Sequence, residues 1–140
     1  MIRNLKQKDY ERYRKLIKSN ITQDYFNHFI INILNKNHII IVLEDIAGNL
    51  IGTGTLLIEK KLTYGGCKMG HIENVLISTN SRGKGHGEQM VKYLLNLAKT
   101  KSCYRVDLNC HTELEKFYKK NNFTKNNISM HLYFKENFKL

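Results

Sequence analysis

The sequence predicts an α/β (α+β) fold: a mixed central β-sheet flanked by about four helices, in a single domain over residues 1–140. Three observations predict it. Short β-branched runs alternate with segments whose apolar residues recur every three or four positions. Residues 70–100 read as one unit, a buried strand, a glycine-rich basic turn and an amphipathic helix. A second strand-like run follows that helix, and strand, helix and strand in this order make a parallel pair joined by a right-handed crossover.

Taken in order, residues 1–5 are a short edge strand. Over 8–19, Tyr10, Tyr13, Leu16 and Ile17 mark a first helix, with Asp9 at the positive end of its dipole. Thr22 and its neighbours break the pattern and offer capping groups. A second helix then runs through Phe26, Phe29, Ile30, Ile33 and Leu34. Residues 38–43 are nearly all β-branched, as in a strand covered on both faces. Ala47, Gly48 and Asn49 turn the chain into a strand over 50–60, where Gly52 and Gly54 point to a bulge or a close backbone approach. Beyond a loop holding Gly65 and Gly66 lies the central strand, with Ile72, Val75, Leu76 and Ile77. Thr79, Asn80 and Ser81 end it, and Met90, Leu94, Leu95, Leu97 and Ala98 give the next helix its apolar stripe. Residues 103–110 alternate as a strand, and 111–122 form a helix with Leu114, Phe117 and Tyr118 on one side. Residues 128–134 complete the sheet as a last strand, Ile128, Met130, Leu132 and Phe134 sharing a face.

The composition narrows the function classes. A chain of 140 residues is long enough for one domain with a core and too short for two ordinary ones. It has no apolar run of about 18 residues and no leader pattern, so the expectation is a soluble, unprocessed, cytoplasmic protein with no membrane partner. The net charge of +11, from 23 Lys and Arg against 12 Asp and Glu, suits an anionic partner such as a nucleotide, a sugar phosphate or nucleic acid. Eighteen of those cations are lysines scattered along the chain, and no nucleic-acid-binding pattern gathers them, so nucleic acid is not the expected partner. Cys67, Cys103 and Cys110 are odd in number and lack C-x-x-C spacing. This indicates free thiols in a reducing compartment, with no zinc or other metal site. Cys103 and Cys110 flank a strand and are expected as small buried hydrophobes.

The turn at 82–87 carries the clearest chemistry. Arg82, Gly83, Lys84, Gly85, His86 and Gly87 open a helix, and a glycine-rich turn there exposes unpaired backbone N–H groups at the positive end of the helix dipole. Such a place holds phosphate. His71 and Glu73 stand in a mostly apolar strand, where a polar side chain is costly unless it is paired or functional. For His71 the expected role is a hydrogen-bonded structural histidine.

These residues resemble those of the GNAT acyltransferases, whose acetyl-CoA signature is Gln or Arg, two residues, Gly, one residue, then Gly or Ala; Arg82, Gly85 and Gly87 match it. Within that family, G-H-I-E-N-V at 70–75, C-Y-R-V-D-L-N-C at 103–110 and F-Y-K-K at 117–120 look like the glucosamine 6-phosphate N-acetyltransferases. The resemblance covers the whole chain. It implies a GNAT fold and acetyl transfer from acetyl-CoA to the amine of an amino sugar phosphate, a step toward UDP-N-acetylglucosamine. By this resemblance the amides of Val75, Leu76 and Ile77 hold the pantetheine arm, and one of them polarises the thioester carbonyl. Those of Arg82, Gly83, Lys84, Gly85, His86 and Gly87 receive the pyrophosphate. The amine attacks directly, so proximity is a large part of catalysis. Tyr118 protonates the leaving thiolate, Glu73 and Asn109 act in catalysis at the amine, and Thr22, His71, Glu73, Asn74, Asn109 and Tyr133 line the substrate site. The resemblance also implies a homodimer in which the C-terminal strand completes the partner's site.

Four positions depart from the pattern. Asn74 and Asn109 stand where those enzymes carry acids, Leu114 where they carry Asn, and Tyr133 where an Arg binds sugar phosphate. An amide accepts a hydrogen bond but neither takes a proton nor attracts an ammonium as a carboxylate does. Another amine therefore stands as the alternative acceptor: a different amino sugar, a nucleotide-linked amino sugar, a polyamine or a peptide. A basic non-enzymatic binding domain is the lesser alternative.

Overall fold

The computed structural model describes residues 1–135 and divides the chain into two units, Met1–Leu108 and the stretch from Asn109 onward. The first unit holds a five-stranded sheet of β1 (Ile2–Asn4), β2 (His38–Glu44), β3 (Leu50–Lys60), β4 (Lys68–Ile77) and β5 (Cys103–Asp107), side by side in chain order. The first four are antiparallel neighbours, and β5 lies parallel to β4 at the far edge, as the strand–helix–strand order requires.

Two layers of helix cover this sheet. On one face, α1 (Tyr10–Ile17) and α2 (Gln23–His28) pack Tyr13 and Phe26 onto Ile40, Val42, Leu50 and Leu5. On the other, α3 (His86–Thr100) buries Met90, Val91, Leu94 and Ala98 completely. Strand β2 sits between them, so Ile40, Ile41, Val42 and Leu43 are all buried and the run is apolar throughout. α3 lies close over Gly54: a Cβ built there would meet Leu94 Cδ1 at 2.9 Å.

The second helix is not uniform. After α2 it widens into a π-helical turn over Phe29–Ile33. The first helix opens with a 3-10 turn over Gln7–Asp9, and Asp9 inside it is fully buried. Its carboxylate accepts from both terminal nitrogens of Arg3, at 2.8 and 2.9 Å, from the Lys6 amide at 2.8 Å and from Arg12. Glu44 of β2 accepts from Arg3 Nε at 2.7 Å, which closes the network across the sheet edge.

The second unit holds α4 (Glu115–Lys120), entered by a 3-10 turn over Thr112–Leu114. The strand expected over 128–134 is not formed: no strand occurs among the described residues beyond β5, and Ile128, Met130, Leu132 and Phe134 are 79–93% exposed. Alternation supplies an apolar face, but a strand also needs a neighbour for its backbone groups. Strand β5 ends at Asp107, short of the expected 110, and Cys110 is exposed rather than buried because it lies beyond that end. Cys103 is half-buried, and burial pushes its thiol up while Lys68 and Lys101 pull it back. Among the described residues no helix is long and apolar enough to cross a membrane, and no group of His, Cys, Asp and Glu is placed to hold a metal.

Candidate functional site

Strand β5 accompanies β4 only from Lys68 to His71, where His71 faces Asp107. Above that point β4 continues to Ile77 with β3 as its one strand partner, Leu76 opposite Thr53 and Ile77 opposite Gly52. The two parallel strands thus bound a wedge with its apex at His71. On the wedge side, the backbone groups that β4 turns away from β3 between Glu73 and Ile77 have no strand to bond among the described residues, which leaves amides there for a ligand.

The turn lies at the open end of this edge. A 3-10 turn over Thr79–Ser81 leaves β4, and Arg82 Nε donates to Ile77 O at 2.9 Å, which ties the turn to the strand end. Gly83 and Gly85 have φ of 75° and 83°, and Gly85 is the residue immediately before α3. Both values lie in the left-handed region where a side chain is strained. A Cβ built on either meets nothing within 4 Å, so there is open space beside both glycines. Lys84 is exposed beside them, and His86 and Gly87 form the first turn of α3, whose leading amides have no carbonyl to bond within the helix. Left-handed glycines, a 15-residue helix N-terminus and flanking cations together fit a diphosphate.

Glu73 and His71 share the sheet face opposite α3. Glu73 is half-buried across from Thr55, and His71 Nε2 lies 3.0 Å from Glu59 Oε1. That hydrogen bond, together with the charge of Lys61, holds the Glu59 carboxyl below the usual carboxylate range. His71 is thus hydrogen-bonded as expected. Glu59, its partner, was not among the expected site residues, since only the β3–β4 register brings a residue twelve positions away alongside. Arg105 and Asp107, paired at 2.8 Å on β5, stand next to this cluster because the parallel register sets Asp107 beside His71. Thr22 caps α2, its hydroxyl accepting from the Tyr25 amide at 3.1 Å, so its side chain already has a structural task.

The remaining expected residues belong to the second unit. Tyr118 is buried on α4, edge-on to Phe117 at 4.9 Å and Phe123 at 5.7 Å between ring centroids. Burial, reinforced by Cys110, pushes its phenol up, so the hydroxyl keeps its proton through the neutral range. Asn109 and Leu114 are exposed, and Tyr133 is 44% exposed in the segment without a strand.

The profile of the Acetyltransferase (GNAT) family matches residues 1–123. The probable glucosamine 6-phosphate N-acetyltransferase 2 of Oryza sativa subsp. japonica is 38% identical over 104 residues, 72% of this chain and 63% of the rice protein. The match thus spans a little under two thirds of that relative's length. The glucosamine 6-phosphate N-acetyltransferase of Schizosaccharomyces pombe is 35% identical over 100 residues, 71% of this chain and 90% of that protein. Among solved structures, the crystal structure of glucosamine-6-phosphate N-acetyltransferase from Arabidopsis thaliana is similar with a TM-score of 0.91 at 31% identity, covering 96% of this chain and 98% of that one. With a matching profile over nearly its whole length and the wedge, turn and helix in sequence, the chain belongs to the Acetyltransferase (GNAT) family.

Proposed function

We propose that the chain, as one acetyltransferase domain over 1–140, transfers the acetyl group of acetyl-CoA to the amine of glucosamine 6-phosphate. The observation that carries the reading is the unpaired edge of β4 running directly into the left-handed glycine turn and the N-terminus of α3. An extended pantetheine arm needs edge amides and a pyrophosphate needs a helix N-terminus, and here the two are continuous. Acetyl-CoA supplies an activated thioester. Amides of Val75, Leu76 and Ile77 bind the arm and hydrogen-bond the carbonyl oxygen as it gains charge. Those of Gly83, Lys84, Gly85, His86 and Gly87 hold the diphosphate, with Arg82 and Lys84 adding charge. Glu73, on the open face of β4, accepts from the acceptor's hydroxyls or amine, and Asn109 orients the amine through its carbonyl. The amine nitrogen forms the new C–N bond as the C–S bond breaks. The nitrogen's proton passes to Glu73, directly or through water, while Tyr118 donates one to the departing sulfur and regains it from solvent.

The relatives named for glucosamine 6-phosphate in plants and fungi support this acceptor. The amides at Asn74 and Asn109 and the phenol at Tyr133 favour a second reading, in which the chemistry is kept and the amine differs. A free-thiol release assay with acetyl-CoA and a panel of amino sugars, nucleotide-linked amino sugars, polyamines and peptides tests both. Turnover of glucosamine 6-phosphate above the other amines is expected, and clear turnover of another amine without it would overturn the proposal. The exposed alternating residues Ile128, Met130, Leu132 and Phe134 support a homodimer in which this segment pairs with a second copy. Scattering mass at micromolar concentration is expected at twice the chain mass. Three free thiols and no membrane-crossing helix among the described residues fit a cytoplasmic site of action.

A further inference from the structure

A proton taken from the amine by Glu73 has to leave before the next turnover, and the face of β4 turned away from α3 holds a route for it. Gly70 approaches Ala98 of α3, so His71 and Glu73, opposite Leu57 and Thr55, stand on the other face. The alternation is unbroken from Gly70 to Glu73. The one residue by which β4 exceeds β3, the exposed and left-handed Asn74, comes after them. Two residues apart on one face of a strand are separated by about 7 Å, a span that one water bridges between side chains.

Glu73 is half-buried, with no hydrogen bond or ion pair among the described residues. His71 is held. Its Nε2 lies 3.0 Å from Glu59 Oε1, and the Glu59 carboxyl is kept below the usual carboxylate range, so it is ionised and accepts. The ring proton therefore sits on Nε2 and the lone pair on Nδ1, which bonds no described residue. The other charged groups facing the ring are paired: Lys61 Nζ lies 3.5 Å from the same Glu59 oxygen, and Asp107, opposite His71 on β5, is bonded to Arg105. The side chains of His71 and Glu59 are 31% and 51% exposed, so a proton arriving there reaches water. A carboxylate that fixes the tautomer of an imidazole and balances its charge makes that imidazole a proton acceptor.

We propose that His71 and Glu59 form a proton exit for the acetyl-transfer reaction, positioning residues that act through Glu73. Once the amine nitrogen has bonded to the acetyl carbon, its proton rests on the Glu73 carboxyl. From there it passes through one water to Nδ1 of His71, giving an imidazolium whose charge faces Glu59. The imidazolium returns to its neutral form by losing a proton to solvent. Glu73 is left ionised and one proton leaves for each amide formed. This rests on the acetyl-transfer reading above.

The test measures kcat, KM for both substrates and melting temperature for His71→Gln, Glu59→Gln, the double variant and His71→Ala, in buffer without small bases and again with imidazole. Glutamine keeps an N–H to donate to Glu59 but takes no proton. His71→Gln is therefore expected to lower kcat by about ten- to hundredfold, at or below the lower range for proton transfer by a side chain, with both KM values within about twofold. Glu59→Gln is expected to lower kcat by about three- to tenfold in the parent and to add nothing to His71→Gln, as for residues that act as a unit. His71→Ala is expected to lose as much as His71→Gln and to regain about fivefold or more with imidazole, a readout that a purely structural histidine would not move. A His71→Gln enzyme with the kcat of the parent would overturn the proposal, and so would a His71→Ala loss that imidazole does not relieve. An equal effect of Glu59→Gln in both backgrounds would overturn it as well. If His71→Ala does not fold, His71→Gln and the double variant decide. If the parent acetylates a different amine, the same comparisons are read on that amine. A parent that acetylates none overturns the acetyl-transfer reading and this inference with it, whereas an active parent with unaffected variants overturns this inference alone.

Discussion

Gly85 adopts φ 83° and ψ 4° with open space where a Cβ would stand, so the constraint on it comes from the backbone and not from a neighbour. Gly85→Ala is expected to cost about 1–2 kcal/mol in the native turn. If the turn relaxes instead of unfolding, calorimetry will read the same cost as acetyl-CoA affinity weakened by about five- to thirtyfold. Tyr118 lies at the opposite extreme, a buried phenol whose proton is held on by its surroundings. Tyr118→Phe is expected to lower kcat by about a hundredfold, the lower range for a general acid, while KM for acetyl-CoA stays within about threefold. Steady-state kinetics at pH 7 checks both. At this scale the turn was legible, because Gly-x-Gly before an amphipathic helix is a local signal. The Glu59–His71 pair was not, because it depends on strand register. Nor was the exposure of Cys110, which depends on where β5 stops.

β3 and α3 are the elements that fix the site. Gly54 leaves room for Leu94 of α3 and stands opposite the register shift between β3 and β4, so one residue serves both the packing and the strand geometry. Gly54→Ala places a methyl 2.9 Å from Leu94 Cδ1 and is expected to destabilise the fold by about 1–3 kcal/mol, read by urea unfolding. The sequence signalled something unusual at Gly52 and Gly54, a bulge or a close approach. Both occur, but the extra residue is on the facing strand, at an asparagine, where alternation alone gave no sign. The segment 128–134 illustrates the opposite limit. Its pattern is that of a strand, yet pattern specifies a face and not a partner.

Across the Met1–Leu108 unit, the Arg3–Asp9–Arg12–Glu44 network joins β1, the first helix and β2 through charged groups, which is unusual in a sheet edge otherwise closed by apolar packing. Burial by itself would push the Asp9 carboxyl up. The Arg3 hydrogen bonds, the Lys6 amide and the two guanidinium charges outweigh that and hold it below the usual range; Arg3 and Arg12 do the same for Glu44. Both carboxyls are depressed in the folded state, so their stabilisation is present above the ordinary carboxylate value of about 4 and is lost as pH falls below it. Urea midpoints at pH 7 and pH 3 are expected to differ in that direction. Asp9→Asn, which leaves two guanidinium groups without their carboxylate, is expected to cost about 3–5 kcal/mol at pH 7 and to flatten the pH dependence. None of this was legible beyond Asp9 as a helix-start residue, since three of its four members meet only through the fold.

The wedge between β4 and β5 has a colloidal consequence as well. Half-buried Val75, Leu76 and Ile77 border a strand edge that has no strand partner beyond His71 among the described residues, the template on which chains add to one another. A cofactor arm bonded to that edge occupies it as a foreign strand would, and by linkage it also stabilises the native state by about 2.7 kcal/mol at a hundredfold excess over its dissociation constant. The protein is therefore expected to form turbid suspensions on prolonged warming without acetyl-CoA and to stay clear with it, as light scattering at fixed temperature can record.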